Sequence, residues 1–274
     1  MSPLHSTVHR TAVAALLLLP LTVTASAQSK LEARYGISVA GIPVGKAAWT
    51  LDLGTDQYSA SATGSASGAA SILVSGEGAI SARGAIKDGK PVPTTFVSNV
   101  TQEADKTELR MTIDDGKVKE VKVASEPPPA ADRVAVTDAH KSGITDPLSA
   151  LLIPVAASGD ALSAGACQRT LPIFDGRRRF DLKLTFKRMD KVKADKGYTG
   201  PVAVCAVAFQ PQAGHRTSST LVKYVSDGRE IELWLAPVAG TKVLAPFRVS
   251  IANMLGNLVV QATQFEVLAQ TAAK

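Results

Sequence analysis

An all-β, mainly antiparallel fold follows from three features of the chain. Apolar and polar residues alternate with period two through most of it, glycine-containing turn signals separate the alternating runs, and only one segment after residue 27 takes helical spacing. Phe180, Leu182, Leu184 and Phe186 lie on one face of such a run, while Asp181, Lys183, Thr185 and Lys187 lie on the other. Leu109, Met111 and Ile113 alternate in the same way with Glu108, Arg110 and Thr112, and Ile231, Leu233 and Leu235 with Glu230, Glu232 and, less tidily, Trp234. This is the pattern of half-buried antiparallel strands.

The elements follow in order. Strands over 31–39 and 44–53 flank Gly41-Ile42-Pro43-Val44-Gly45, where glycine supplies the backbone freedom of a hairpin turn. Strands over 58–66, 71–82, 93–102, 107–114 and 117–123 come next, with Asp88-Gly89 and Asp115-Gly116 as turns offering positive φ. Glu126-Pro127-Pro128-Pro129 cannot join a ladder and reads as a rigid surface loop, followed by a short strand over 133–137. Asp146-Pro147-Leu148-Ser149-Ala150-Leu151-Leu152 opens the one predicted helix, over 146–157. An N-cap acid and a first-turn proline precede good helix formers, and Leu148, Leu151 and Leu152 share a face. Strands over 167–174 and 177–189 turn at Asp175-Gly176. Strands over 200–210, 218–226, 229–236, 246–254 and 258–268 complete the chain, with Asp227-Gly228 as a further hairpin signal. An open sheet this long would expose adhesive edges, so the expected architecture is a single curled sheet, a β-barrel or β-spiral, with one short helix across its mouth or inside the curl.

The first 27 residues read as a secretory signal. Arg10 precedes an apolar run over 11–23, and Ala25-Ser26-Ala27 ends it in the small-x-small pattern cut before Gln28. The run is too short to span a bilayer and no second apolar segment follows it, so the expected product is a soluble periplasmic chain. Residues 28–274 are expected to form one β-barrel or β-spiral domain, long enough to bury a sizeable core. Loss of Arg10 leaves 29 Lys and Arg against 24 Asp and Glu, a modest excess spread along the chain. With aromatics at 5% and no basic cluster, nucleic acid is not an expected partner. An outer-membrane barrel is disfavoured by the same scarcity of aromatics and by an Ala272-Ala273-Lys274 end.

Cys167 and Cys205 are the two thiols of the chain and do not form a C-x-x-C pair, so in an exported protein they are expected to make one structural disulfide. Catalytic and metal-binding signatures are lacking. His140 and His215, the histidines beyond the signal, stand far apart, and neither metal nor cofactor is expected. Gly64-Ser65-Ala66-Ser67-Gly68 carries Ala where a nucleophile elbow needs serine, and Gly41 to Ala47 lies between strands rather than between a strand and a helix. In Arg177-Arg178-Arg179, strand alternation turns Arg178 toward the Phe180 face and its neighbours away. A guanidinium at the end of an apolar row needs an acid or an anionic ligand; Asp175 or Asp181 could be that acid. Arg178, Phe180, Leu148 and Leu151 are therefore the candidate ligand-binding residues, and no catalytic residue is assigned.

Several motifs in series resemble a known family: Tyr35-x-Ile-x-Val-x-Gly41-Ile-Pro-Val-Gly45, Asp146-Pro147-Leu148-Ser149-Ala150-Leu151, Phe174-Asp175-Gly176-x-Arg178-Arg179, Tyr198-x-Gly200-Pro201-x-x-x-Cys205, Gly214-His215-Arg216 and Trp234-Leu235-Ala236-Pro237. Together they resemble the bacterial envelope family known as domain of unknown function 3108. The resemblance implies an exported, mainly β protein of proteobacterial type and lends no catalytic residues. The expected function is binding or scaffolding in cell-envelope maintenance, with a lipid, an acyl chain or a partner peptide as the candidate cargo and no enzymatic activity. The alternative is a periplasmic hydrolase using carboxylates such as Asp146 or Asp175.

Overall fold

The computed structural model describes residues 28–67, 76–102, 105–124, 130–155, 161–228, 230–252 and 256–270. The signal segment, residues 71–75, 229 and 253–254 of expected strands, the expected proline loop at 126–129 and 156–157 of the expected helix lie outside them.

Among the described residues, fifteen strands belong to one sheet. The first seven form a meander: β1 (Gln28–Val39), β2 (Ile42–Leu53), β3 (Gln57–Ala66), β4 (Gly76–Lys87), β5 (Lys90–Gln102), β6 (Asp105–Asp114) and β7 (Lys117–Ala124). The second half contains β8 (Ile153–Pro154), β9 (Arg169–Phe174), β10 (Arg179–Lys193), β11 (Lys196–Gly197), β12 (Thr199–Ala213), β13 (Ile231–Pro237), β14 (Val243–Ile251) and β15 (Leu258–Gln270). The strand order is β7-β6-β5-β4-β3-β2-β1-β15-β14-β13-β12-β10-β9, so the first and last strands meet in the middle and β7 and β9 are the two ends. This is the expected all-β curled sheet, and it does not close through strand pairing.

Asp88-Gly89 and Asp115-Gly116 turn as expected, with both residues of each pair at positive φ. The expected strand over 133–137 does not form; it contributes an isolated bridge from Arg133 to Arg216.

The predicted helix over 146–157 is replaced by a single 3-10 turn, Ser149–Leu151, followed by β8. Asp146 does cap it: Oδ1 accepts the backbone N–H groups of Leu148 and Ser149, both at 2.9 Å. Propagation stops because Pro154 forces its predecessor out of helical geometry, and Ile153 is instead paired with Leu244 of β14. The turn is nevertheless docked inside the curl, with Leu148 and Leu152 fully buried and Leu151 half-buried in the main core.

An α-helix occurs where a strand over 218–226 was expected. In α1 (Thr220–Ser226), the Ser219 hydroxyl accepts the Val222 N–H at 3.3 Å, and the chain leaves the helix at Asp227-Gly228.

The sheet buries both faces in its second half. The inner core joins Leu31, Trp49, Leu51, Met111, Val202, Val204, Phe247 and Phe265 with Leu148 and Leu152 of the inserted turn. On the opposite face, Leu184, Ala203, Cys205 and Leu235 make a second core with Ile153, Ala166 and Cys167. The four consecutive buried residues Val202–Cys205 of β12 point alternately into the two. Cys167 and Cys205 form a disulfide with Cα atoms 5.4 Å apart, as expected, tying the turn ahead of β9 to β12 within the second core. No helix among the described residues is long and apolar enough to cross a membrane.

Candidate functional site

The gap between the sheet ends is bridged by a strap that forms no strand and holds one short 3-10 helix, Asp138–Lys141. At its far end the Ile144 N–H donates to Gly116 O at 2.9 Å and Ser142 bridges Lys117 at the start of β7. Thr145 then runs parallel to β9, donating to Pro172 O and accepting from Phe174 N, both at 2.9 Å. Earlier in the strap the backbone turns away from β7, and Val134 exchanges bonds with His215 O and Gly214 N. Among the described residues, Lys117 alone on the outer edge of β7 makes a backbone bridge to the strap.

Where strap and strand part, a cavity of about 1070 Å³ opens. Its floor is apolar: Val118, Val121 and Val123 of β7 and Val136 of the strap are half-buried against the main core, and the buried Phe174 borders it. The volume stands at the top of the roughly 300–1,000 Å³ range of small-molecule sites.

Arg177 lines this cavity. Its Nε and Nη2 are buried and have no hydrogen-bond partner, and it makes no ion pair among the described residues. The backbone beneath it is fixed from three sides. Asp175 Oδ1 accepts the N–H groups of Arg177 at 2.8 Å and Arg178 at 2.6 Å. Gly176, at φ +93°, lies against Leu109 so closely that a Cβ there would stand 2.5 Å from its Cδ1. Gly214, at φ +79°, abuts the Arg177–Arg178 backbone, and its carbonyl accepts a bond from Arg133 Nη1. The other cations of the cavity are engaged: Lys119 with Asp114 at 3.2 Å, Lys141 with Asp138 at 3.4 Å, and Arg133 with Gly214.

The sequence-predicted ligand residues are not brought together. Strand β10 begins at Arg179, so Arg178 lies in the turn and is exposed rather than facing with Phe180. Phe180 is half-buried on the second-core side, its ring centroid 5.4 Å from that of Phe209, while Leu148 and Leu151 belong to the inner core. Of the expected acid partners, Asp175 bonds backbone N–H groups and Asp181 pairs with Arg179. Asp146, the other acid of the hydrolase alternative, is fully buried inside the curl. Burial raises the pKa of its carboxyl, and Oδ2 lacks a partner. Beside it, Ser149 Oγ and the Tyr58 hydroxyl share a 2.5 Å hydrogen bond. No group of three or more His, Cys, Asp or Glu suited to a metal occurs among the described residues.

A separate charged cluster lies on β10, β13 and β14 around Trp234, a residue of the inner core. Glu232 accepts two bonds from the Arg188 guanidinium, at 2.6 and 3.1 Å, and one from Lys187, and these hold its carboxyl down to about 2. Trp234 donates from Nε1 to Asp190 Oδ2 at 3.0 Å, and the Arg188 and Arg248 guanidinium carbons stand 5.5 and 4.8 Å from its ring centroid.

Among solved structures, the chain is similar to a β-barrel-like protein of domain of unknown function DUF1849 from Brucella abortus. The two share 12% identity over 90% of this chain and 99% of that one, with a TM-score of 0.48. The search of curated proteins gave no match. The family model described as "Protein of unknown function (DUF3108)" matches residues 32–263, so the chain belongs to that family.

Proposed function

We propose that this protein is an exported, periplasmic binding protein of the cell envelope, and that its cargo is an amphiphile whose apolar part lies in the seam cavity. The observation that carries this reading is the parting of the strap from β7, which leaves the valines of that end strand facing about 1070 Å³ of open space. A purely structural strap would be expected to pack onto those valines, since exposed apolar surface of this kind costs roughly 25 cal/mol per Å². A cargo with an alkyl or acyl chain would bury it. The disulfide suits an oxidising compartment, in agreement with the secretory reading of residues 1–27. The binding reading assigns no catalytic role: Asp146 and Asp175 accept backbone N–H groups and act as local caps.

Native mass spectrometry of the protein isolated without detergent from the periplasm of its own cells tests this proposal. A co-purifying lipid or acyl mass is expected on the wild type and is expected to be lost in Val121→Trp, whose indole obstructs the valine floor. A bare chain in both, or an adduct indifferent to Val121→Trp, would overturn the reading.

A further inference from the structure

We propose that Arg177 is the anion anchor of the seam cavity, and that the amphiphile it selects carries a carboxylate or phosphate at one end. This inference rests on the cavity being the binding site and adds to it the chemistry of the ligand's head and the residue that recognises it.

The argument begins with an imbalance. Burying guanidinium nitrogens without a hydrogen-bond acceptor is costly, and proteins seldom tolerate it without an acid, a carbonyl or a ligand in place. Arg177, a residue that lines a large cavity, has Nε and Nη2 in that condition. Its neighbours show the contrast. Arg179 pairs with Asp181, Arg216 donates from Nε to Asp132 Oδ1 at 2.9 Å, and Arg133 bonds Gly214 O. The nearest acid in sequence, Asp175, uses Oδ1 to hold the two backbone N–H groups of the turn.

Preorganisation is the second element. Asp175, Gly176 and Gly214 fix the backbone at Arg177 before any ligand arrives, so less ordering is required of the protein on binding. The unpartnered nitrogens, Nε and Nη2, form the edge by which a guanidinium binds a planar carboxylate or two phosphate oxygens through paired hydrogen bonds. The half-buried valines then provide for an apolar tail leading away from that head. Lys119 and Lys141, already paired with acids, have less to offer.

Binding of three probes with the same tail decides the matter: dodecanoate, dodecyl phosphate and neutral methyl dodecanoate. Each is titrated calorimetrically, the anions below their micellar concentrations and the ester below its solubility limit, into wild type, Arg177→Gln, Arg177→Lys, Arg178→Gln and Val121→Trp. Wild type is expected to bind at least one anionic probe more tightly than the ester. Arg177→Gln is expected to weaken that binding by about 10- to 100-fold, as loss of a charge-assisted hydrogen bond does, while leaving the ester unchanged. Arg177→Lys restores it in part, and Arg178→Gln, altered at an exposed neighbour, matches wild type. A preference for dodecanoate marks a free carboxylate as the natural head, and a preference for dodecyl phosphate a phosphate.

Equal affinity of wild type and Arg177→Gln for both anions, with loss of binding in Val121→Trp, would overturn the anchor and leave the cavity reading standing. Absence of binding by all three probes, or binding of every probe unaffected by Val121→Trp, would overturn the cavity reading itself. Thermal melts identify a variant that fails to fold; Val123→Phe then replaces Val121→Trp, and Arg177→Met replaces Arg177→Gln, with the same outcomes required.

Discussion

Gly214 lies against the backbone of Arg177, so that a Cβ on it would stand 2.9 Å from Arg178 Cα and closer still to the Arg177 carbonyl oxygen. This contact joins the end of β12 to the turn between β9 and β10. Gly214→Ala is expected to destabilise the protein by about 2–4 kcal/mol, because it adds a clash to the strain of an L-residue at φ +79°. Gly89→Ala is the control: its φ is +72° and nothing lies within 4 Å of the new atom, so about 1 kcal/mol is expected. Urea unfolding of both variants measures the difference.

Removing the Cys167–Cys205 bridge frees a loop of 38 residues in the unfolded chain, which in the chain-entropy model costs about 4 kcal/mol. The double variant Cys167→Ala/Cys205→Ala is expected to lose stability on that scale. Protection from hydrogen exchange is expected to fall first at Ala164–Cys167 and in β9, which depend on the second core, and later in β1 and β2. A uniform loss across both halves of the sheet would argue against this local dependence.

Asp146 is expected to make stability fall as pH rises. Its pKa is raised in the folded state by burial, so its contribution is full below the ordinary carboxylate range, near 3.8, and is lost as pH climbs through the raised value. Asp146→Asn keeps an acceptor for the Leu148 and Ser149 N–H groups without the titration, whereas Asp146→Ala leaves both donors unmet and is expected to cost about 1–3 kcal/mol. Unfolding free energies of the two variants against pH test this. The advantage of Asn over wild type is expected to widen toward neutral pH.

Glu232 acts in the opposite sense. Arg188 and Lys187 hold it down to about 2, so its contribution is present above about pH 4.5 and is lost as pH falls toward 2. Glu232→Gln is expected to flatten the acid limb of the stability curve by up to about 1.4 kcal/mol per pH unit, the slope of one proton. Coincident acid limbs for the variant and wild type would contradict it.

Much of the sheet could be read from period-two alternation and Asp-Gly turns, because those features act locally. The cysteine pairing was legible for a similar reason: two thiols leave one intramolecular choice. Arg177 was not. Alternation was carried back from Phe180 through Arg178, but strand geometry begins only at Arg179, and side-chain parity does not pass through a turn held by Asp175. The backbone at Arg177 is placed by contacts of Gly176 with Leu109 and of Gly214 with Arg177, between residues 67 and 37 positions apart, and two of the Arg177 nitrogens are buried without a partner. The helix over 146–157 failed on a signal that was visible, Pro154. For α1, alternating Thr220, Val222 and Tyr224 imitated a strand, while the Ser219 cap and the Leu221–Val225 spacing pointed to a helix. The second core was announced by the run Val202-Ala203-Val204-Cys205, which has no polar face to turn to solvent.

The adjacency of β1 and β15 bears on the order in which the chain can assemble. Residues 28–124 form a meander of near neighbours whose pairings can be made as soon as the segment is available. One margin of β1 nevertheless waits for residues 258–270, more than two hundred positions later, and until they arrive its row of amides and carbonyls is open to any passing strand. Loop closure over such a distance is slow compared with hairpin formation. A half-made chain is therefore most vulnerable to mispairing along β1, at the centre of the finished sheet rather than at its rim.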